Sequence, residues 1–315
     1  MNADVWAVVL AGGDGQRVSA LTLEDGRPVP KQYCTFGAPD SMLRWALARA
    51  RGVVPTERVV VVVAEQHRPL WEQELSDLPP ENVIVQPRNR GTAAGVLLAF
   101  LHVFLRRDPR ARLLVLPSDH HVADEGALRR SLLQALRAPR DADNRVLLLG
   151  MTPTECDPEY GWVLPAGAGP IAAVARFVEK PDAETVRGLM QDGALVNSFM
   201  LVAQASALLR LYEEALPGIL RAFLGCLHGA SGPAGVQGLY ERIPNSDLSR
   251  DVLERTTHCL SVVRVPPCGW SDLGTPARIQ LFLARRSQRG PRARPDAAAA
   301  SGRAARARDL AWASE

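Results

Sequence analysis

Residues 5–17 read VWAVVLAGGDGQR, and residues 28–33 read PVPKQY. Val5, Ala7, Val8, Val9 and Leu10 form a short apolar run that stops at Gly12-Gly13. That is the pattern of a buried parallel strand feeding a glycine-rich loop. Gly12, Gly13 and Gly15 remove side chains where a backbone turns sharply or approaches a ligand. Successive bare amides in such a turn make a concave nest for phosphate oxygens. Arg17 leaves the loop and Lys31 follows beside Pro28 and Pro30. Two cations flanking a glycine loop suit a polyphosphate whose charge changes during reaction. Two commoner loops do not fit. A Walker loop ends in Gly-Lys-Ser/Thr, where this chain has Gln16-Arg17, and a dinucleotide fingerprint needs a glycine at Val18. Glycines alone would leave an ordinary strand-to-helix turn as the simpler reading.

Outward from this stretch, apolar runs alternate with helical patterns. Asp40-Ser41 caps a predicted helix with Leu43, Ala46, Leu47 and Ala50 on one face. Strands are expected at 58–64, which holds five consecutive valines, and at 83–85, 113–116 and 146–149. Helices are expected at 91–107 and 126–137 between them. This β-α repetition predicts an α/β fold, a Rossmann-like, mostly parallel sheet with helices on both faces. Ligands of such sheets lie beyond the strands' carboxyl ends, where Gly12–Arg17 and Asp119 both fall. The second half predicts a mixed α+β substrate-binding portion, with strands at 162–164, 174–179, 195–202 and 260–265. Its helices are expected at 183–191, 205–226 and 249–255.

Composition narrows the class. The 315 residues are 47% hydrophobic, enough to build a core, yet no apolar run approaches the roughly 20 residues of a membrane span. The N-terminus enters a strand by Val5 with no basic segment and cleavage site, so a cytoplasmic protein without a signal peptide is expected. Cys34, Cys156, Cys226, Cys259 and Cys268 are scattered with no Cys-x-x-Cys pair, as in reduced proteins. The net charge of +3 is carried by the C-terminus, where residues 285–315 hold eight arginines against three acidic residues. The remainder is slightly acidic, which argues against a nucleic-acid-binding body. Residues 1–284 therefore read as one folded domain, and 285–315 as an Arg/Ala-rich disordered tail.

Further motifs follow in order: Gln86-Pro87-Arg88-Asn89-Arg90-Gly91-Thr92-Ala93, Leu116-Pro117-Ser118-Asp119-His120, Tyr160-Gly161, Phe177-Val178-Glu179-Lys180-Pro181, Asn197-Ser198 and Gly269-Trp270-Ser271-Asp272-Leu273-Gly274. Together with the opening glycine loop and Pro30-Lys31, this series resembles the sugar-nucleotide pyrophosphorylases, a nucleotidyltransferase family, and within it the mannose-1-phosphate guanylyltransferases. The matches span residues 7–275, too long an ordered series for chance. The resemblance implies the fold of the nucleotide-diphospho-sugar transferases. It also implies transfer of a nucleotidyl group from a nucleoside triphosphate, GTP by the guanylyltransferase likeness, to a sugar-1-phosphate such as mannose-1-phosphate.

The resemblance also implies roles, position by position. Leu10, Ala11, Gly12, Gly13, Gly15, Arg88, Arg90, Thr92 and Ser118 would bind the nucleotide, with Arg17 and Lys31 on its phosphates. Tyr160, Gly161, Glu179, Lys180, Asn197, Trp270 and Asp119 would contact the sugar phosphate. Asp119 and Asp272 would hold Mg²⁺, a hard cation that carboxylates favour, and without a cation they are expected to repel each other. Arg17, Lys31, Asp119, Lys180 and Asp272 form the expected catalytic set. A homodimer is compatible with the resemblance. His120 and His121 read as structural or pocket-lining; Trp162, Trp270 and Phe199 read as core or sugar-stacking. Departures stand at Val18–Leu21, at 247–254, and at Phe199, where the family's N-S-G has glycine. Two alternatives stay open, a UDP- or dTDP-sugar pyrophosphorylase and a catalytically silent regulatory subunit.

Overall fold

The five valines at 59–63 form a strand buried on both faces, and the strand after Val5 lies beside it in parallel register, Ala7 opposite Val59. This pair anchors the molecule. A computed structural model of the chain describes residues 4–15, 18, 21–24, 27–138, 145–228 and 232–289. Its first half contains β1 (Val5–Ala11), a hairpin of β2 (Leu23–Glu24) and β3 (Arg27–Pro28), and α1 (Met42–Arg51). Then come β4 (Val59–Ala64), α2 (Arg68–Glu74), β5 (Val83–Gln86), α3 (Thr92–Arg106), β6 (Arg112–Pro117) and α4 (Glu125–Leu136). The second half holds β7 (Val146–Met151), β8 (Gly161–Pro165), β9 (Ile171–Glu179), α5 (Ala183–Gln191) and β10 (Leu195–Gln204). It closes with α6 (Ala205–Ala215), α7 (Pro217–His228), α8 (Gly232–Arg242), a π-helical turn (Leu248–Leu253), β11 (Leu260–Val265) and α9 (Pro276–Arg289).

Nine strands make one sheet in the order β5-β4-β1-β6-β10-β7-β11-β9-β8. Neighbours from β5 to β6 are parallel, as are β7 and β11, whereas β10 and β9 run against their neighbours. The period-2 pleat sorts the core into two layers. Val9, Val61 and Leu114 face α1, α2, α4 and α5, while Val8, Val60 and Val115 face α3, α6, α7 and α8. The expected α/β architecture is therefore the observed one. Among the described residues no helix is long and apolar enough to cross a membrane.

Local chemistry explains the boundaries and two departures. Ser41 caps α1, its hydroxyl accepting from the Arg44 amide at 3.1 Å. The helix expected over 205–226 is broken into α6 and α7 at Leu216, because Pro217 offers no amide and disfavours a helical residue before it. The helix expected over 249–255 is the π-helical turn, capped by Asp247 accepting from the Arg250 amide at 3.0 Å. α9 runs to Arg289, so the boundary expected at 285 falls inside it, and residues 290–315 lie outside the described residues. Ile279 and Phe282 fix α9 against Val18, Met42 and Leu273.

Candidate active site

The glycine loop leaves β1 above the sheet and is held by the turn at 31–33. Gln32 Nε2 donates to the carbonyls of Ala11 at 3.1 Å and Gly13 at 2.7 Å. At the loop's tip Asp14 accepts from Gln66 at 2.8 Å and Asn89 at 3.2 Å. Gly15 has φ of +63°, the left-handed region that glycine takes without strain. A Cβ on Gly12 would overlap the Gln86 amide, whereas one on Gly13 would meet nothing, leaving that face open. Arg17 lies outside the described residues.

Two remote loops meet this one. A short antiparallel bridge joins them, His121 amide to Ser271 carbonyl at 2.8 Å and Ser271 amide to His121 carbonyl at 3.0 Å. The bridge sets Asp119, just beyond β6, near Asp272. Lys31, only 5% exposed, pairs through Nζ with Asp119 Oδ2 at 2.8 Å and donates to the Asp272 backbone carbonyl. One ammonium thus reaches both loops. Burial is the largest influence on the Asp119 carboxyl and raises it, but the charge and hydrogen bond of Lys31 together with the other neighbouring groups outweigh it and hold the group below its usual range. His120 is pushed down to about 4 by burial, which overrides the attraction of Asp119 and Asp272. It therefore stays neutral, its Nδ1 accepting from Trp270 Nε1 at 3.3 Å.

Asp272 has a partner that no motif announced. Arg278, 8% exposed, donates from Nη1 to Asp272 Oδ1 at 2.7 Å and from Nη2 to Asp157 Oδ2. Its guanidinium lies 3.9 Å from the Tyr160 ring centre, and its buried Nε meets no acceptor. The Tyr160 hydroxyl at 3.4 Å and the Gly274 amide at 3.0 Å also reach Asp272 Oδ1. The expected repulsion between the two aspartates is thus relieved by two resident cations, Lys31 on one and Arg278 on the other.

On the far wall, Gly161 pairs with Glu179 across β8 and β9, and a Cβ there would overlap Glu179 Oε2. Burial, with the charge of Asp247, raises the Glu179 carboxyl to about 7. Lys180 adopts φ of +51°, and its Nζ lies 3.7 Å from Glu159. Such a conformation in a non-glycine residue is costly and clusters at functional sites. Phe199 keeps φ of +61°, the backbone that glycine would favour, at an irregularity of β10 between Asn197 and Leu201.

These residues line one cleft of about 620 Å³. Leu10, Gly12, Gly13, Gly15, Lys31, Thr92, Ser118 and Asp119 lie along it, as do Tyr160, Gly161, Glu179, Lys180, Asn197, Trp270 and Asp272. Ala11 contributes only a backbone carbonyl to the Gln32 clamp. Arg88 and Arg90 are not on the cleft wall. Arg90 instead donates to the carbonyls of Tyr240 at 2.6 Å and Glu241 at 3.2 Å at the end of α8, and exposed Arg88 lies 3.9 Å from Glu241. Trp162 is fully buried in the core, while Trp270 and Phe199 line the cleft. Gln86, Asp157 and Arg278 were missed from sequence. Gln86 opens a motif but had been given no role; the arginine had no such signal.

The nucleotidyl transferase family model matches residues 6–280. The chain belongs to that family. Among curated relatives, the xanthan biosynthesis protein XanB of Xanthomonas campestris pv. campestris strain B100 is 32% identical over 281 residues, covering 87% of this chain. A mannose-1-phosphate guanylyltransferase of Escherichia coli K12 is 31% identical over 286 residues, covering 86%. The chain spans 58% of the length of each of these two. A solved Thermus thermophilus structure, described as a mannose-1-phosphate geranyltransferase, superposes with a TM-score of 0.76 at 28% identity. That match covers 86% of this chain and 76% of the other. Nucleotidyl transferases of this family generally use a divalent cation. The donor set of this nucleotidyl transferase fits one: the carboxylates of Asp119 and Asp272, hard oxygen ligands on two bridged loops, both line the cleft.

Proposed function

We propose that this nucleotidyl transferase makes a nucleotide sugar, joining GTP and mannose-1-phosphate to give GDP-mannose and pyrophosphate. The observation that carries the reading is the convergence of the glycine loop, Lys31, Asp119 and Asp272 on one cleft at the carboxyl ends of β1 and β6. The triphosphate lies along the open face at Gly13, with Lys31 and Arg17 on its oxygens. The Gln86 amide beneath Gly12, its Oε1 accepting from Tyr240 at 3.1 Å, is a polar wall for the base. Glu179, Asn197 and Lys180 hold the sugar phosphate opposite.

A phosphate oxygen of the sugar-1-phosphate attacks the α-phosphorus. The bond from that phosphorus to the bridging oxygen breaks, and pyrophosphate leaves with the electron pair. The attacking oxygen is already anionic, so no general base is needed. The protein contributes alignment and charge neutralisation through Arg17, Lys31 and Lys180. Asp119 and Asp272 would hold Mg²⁺, which supplies Lewis-acid stabilisation of phosphoryl charge.

One observation favours a second reading of the sugar: Phe199 lines the cleft together with Asn197. A sugar-1-phosphate other than mannose-1-phosphate would follow from it. Purified protein with Mg²⁺ is tested with each nucleoside triphosphate against a panel of sugar-1-phosphates, with pyrophosphate release as readout. GTP with mannose-1-phosphate is expected to give the highest kcat/KM. Preference for UTP or dTTP with glucose-1-phosphate would overturn the base and sugar assignment, and no turnover with any pair would favour a regulatory subunit.

A further inference from the structure

Arg278 is buried, charged and absent from the motif series, yet it touches the carboxylate expected to hold the cation. Its guanidinium spans two carboxylates, Asp272 from the loop before α9 and Asp157 from the segment between β7 and β8. Both are mostly buried, with side chains 21% and 19% exposed. Asp272 Oδ1 takes three donors, Arg278 Nη1, the Gly274 amide and the Tyr160 hydroxyl. Among the described residues no hydrogen-bond donor reaches Oδ2. Asp157 is itself fixed, Oδ1 accepting from the Glu159 amide at 2.8 Å.

We propose that Arg278 is a resident counter-cation and positioning residue. It fixes the Asp272 carboxylate with one oxygen spent and the other free, and it restrains the affinity of the nucleotide-free site for a divalent cation. The proposal rests on the reading of Asp272 as a cation ligand. Three carboxylates, Asp119, Asp157 and Asp272, face two cations, Lys31 and Arg278. An entering divalent ion meets a net charge of only one, spread over separate loops. A triphosphate supplies the missing negative charge, so cation and nucleotide bind together rather than the cation alone. Removing the guanidinium frees two carboxylates at once. A unit charge roughly 5 Å from a divalent ion is worth about tenfold in affinity even at the dielectric of water.

The test is Mn²⁺ binding to the nucleotide-free protein, read from the electron paramagnetic resonance signal of free Mn²⁺. Arg278→Met is expected to bind Mn²⁺ about tenfold more tightly than the natural protein, while Arg278→Lys stays near it. Asp157→Asn leaves the guanidinium with Asp272 as its one carboxylate and is expected to weaken binding several-fold. Opposite shifts at the two ends of one guanidinium are what a merely structural arginine does not produce. Equal affinities across these variants, or shifts in the same direction, would overturn the proposal. Should Arg278→Met fail to fold, Asp157→Asn and Arg278→Lys carry the same comparison. Asp272→Asn separates the two layers. If it leaves Mn²⁺ binding intact, the metal-ligand reading falls and this proposal with it. If it abolishes binding while Arg278→Met does not strengthen it, the Arg278 proposal alone is overturned.

Discussion

Lys31 has two acceptors, and only one of them is charged. Replacing Asp119 with Asn keeps the shape but leaves a nearly buried ammonium facing neutral oxygens. Breaking a buried pair costs several kcal/mol, and Asp119 is 34% exposed, so a loss of about 1–2 kcal/mol is expected for Asp119→Asn. Its kcat should fall about a hundredfold or more. A thermal melt of the ligand-free variant and steady-state kinetics check the two halves, and an unchanged melt would show that Lys31 does not need the charge. Glu179 gives a pH signature. Its carboxyl is raised to about 7 in the fold, above its usual value of 4.5. The folded protein therefore holds more protons than the unfolded chain between these values, so this group's contribution falls as pH rises through that window. Glu179→Gln should match the natural protein near pH 4.5 and exceed its stability by about 1–3 kcal/mol near pH 8. Denaturant titrations of both proteins across that range measure the difference, and parallel curves would contradict it.

The turn at 31–33 acts as a clamp for the glycine loop. Gln32→Leu removes two hydrogen bonds to the loop carbonyls, leaves those acceptors unpaired, and should cost about 1–3 kcal/mol. Because the clamp touches only the nucleotide side, the KM for triphosphate should rise while that for sugar-1-phosphate stays put. Varying each substrate in turn checks this; equal rises would locate the damage elsewhere. Much at this scale was legible in the sequence. The valine run, the Ser41 cap and the strand before Gly12 are local signals, since burial period and capping chemistry are written in adjacent residues. The cleft was legible where its residues sit inside short motifs at strand ends. Arg278 was not, because its role comes from a pairing with Asp157, 121 positions away, which no local period encodes. The partners of Arg88 and Arg90 were not legible for a related reason. An arginine before a helix N-terminus suits an anion, but here the carbonyl ends of α8 compete for Arg90.

At the scale of the whole molecule, α9 closes the site from the C-terminal side. Cutting after Arg289 removes an Arg/Ala-rich segment with few large apolar side chains and should leave melting temperature and kcat unchanged. Cutting before Pro276 takes away Arg278 along with Ile279 and Phe282, and it should lower both. Melts and turnover of the two truncations test the contrast. A large drop from the first cut would mean that the segment docks. Sheet order was the least legible property, because β10 reads as one more strand yet lies in the middle, between β6 and β7. That placement governs how the polypeptide is made. β6 and β7 are both synthesised before the strand that joins them, so each presents a bare backbone edge until about residue 204 has emerged. Open edges recruit other chains, and pairings this distant in sequence form slowly. The interval between synthesis of β7 and arrival of β10 is therefore when a nascent chain is most exposed to aggregation and most in need of a chaperone.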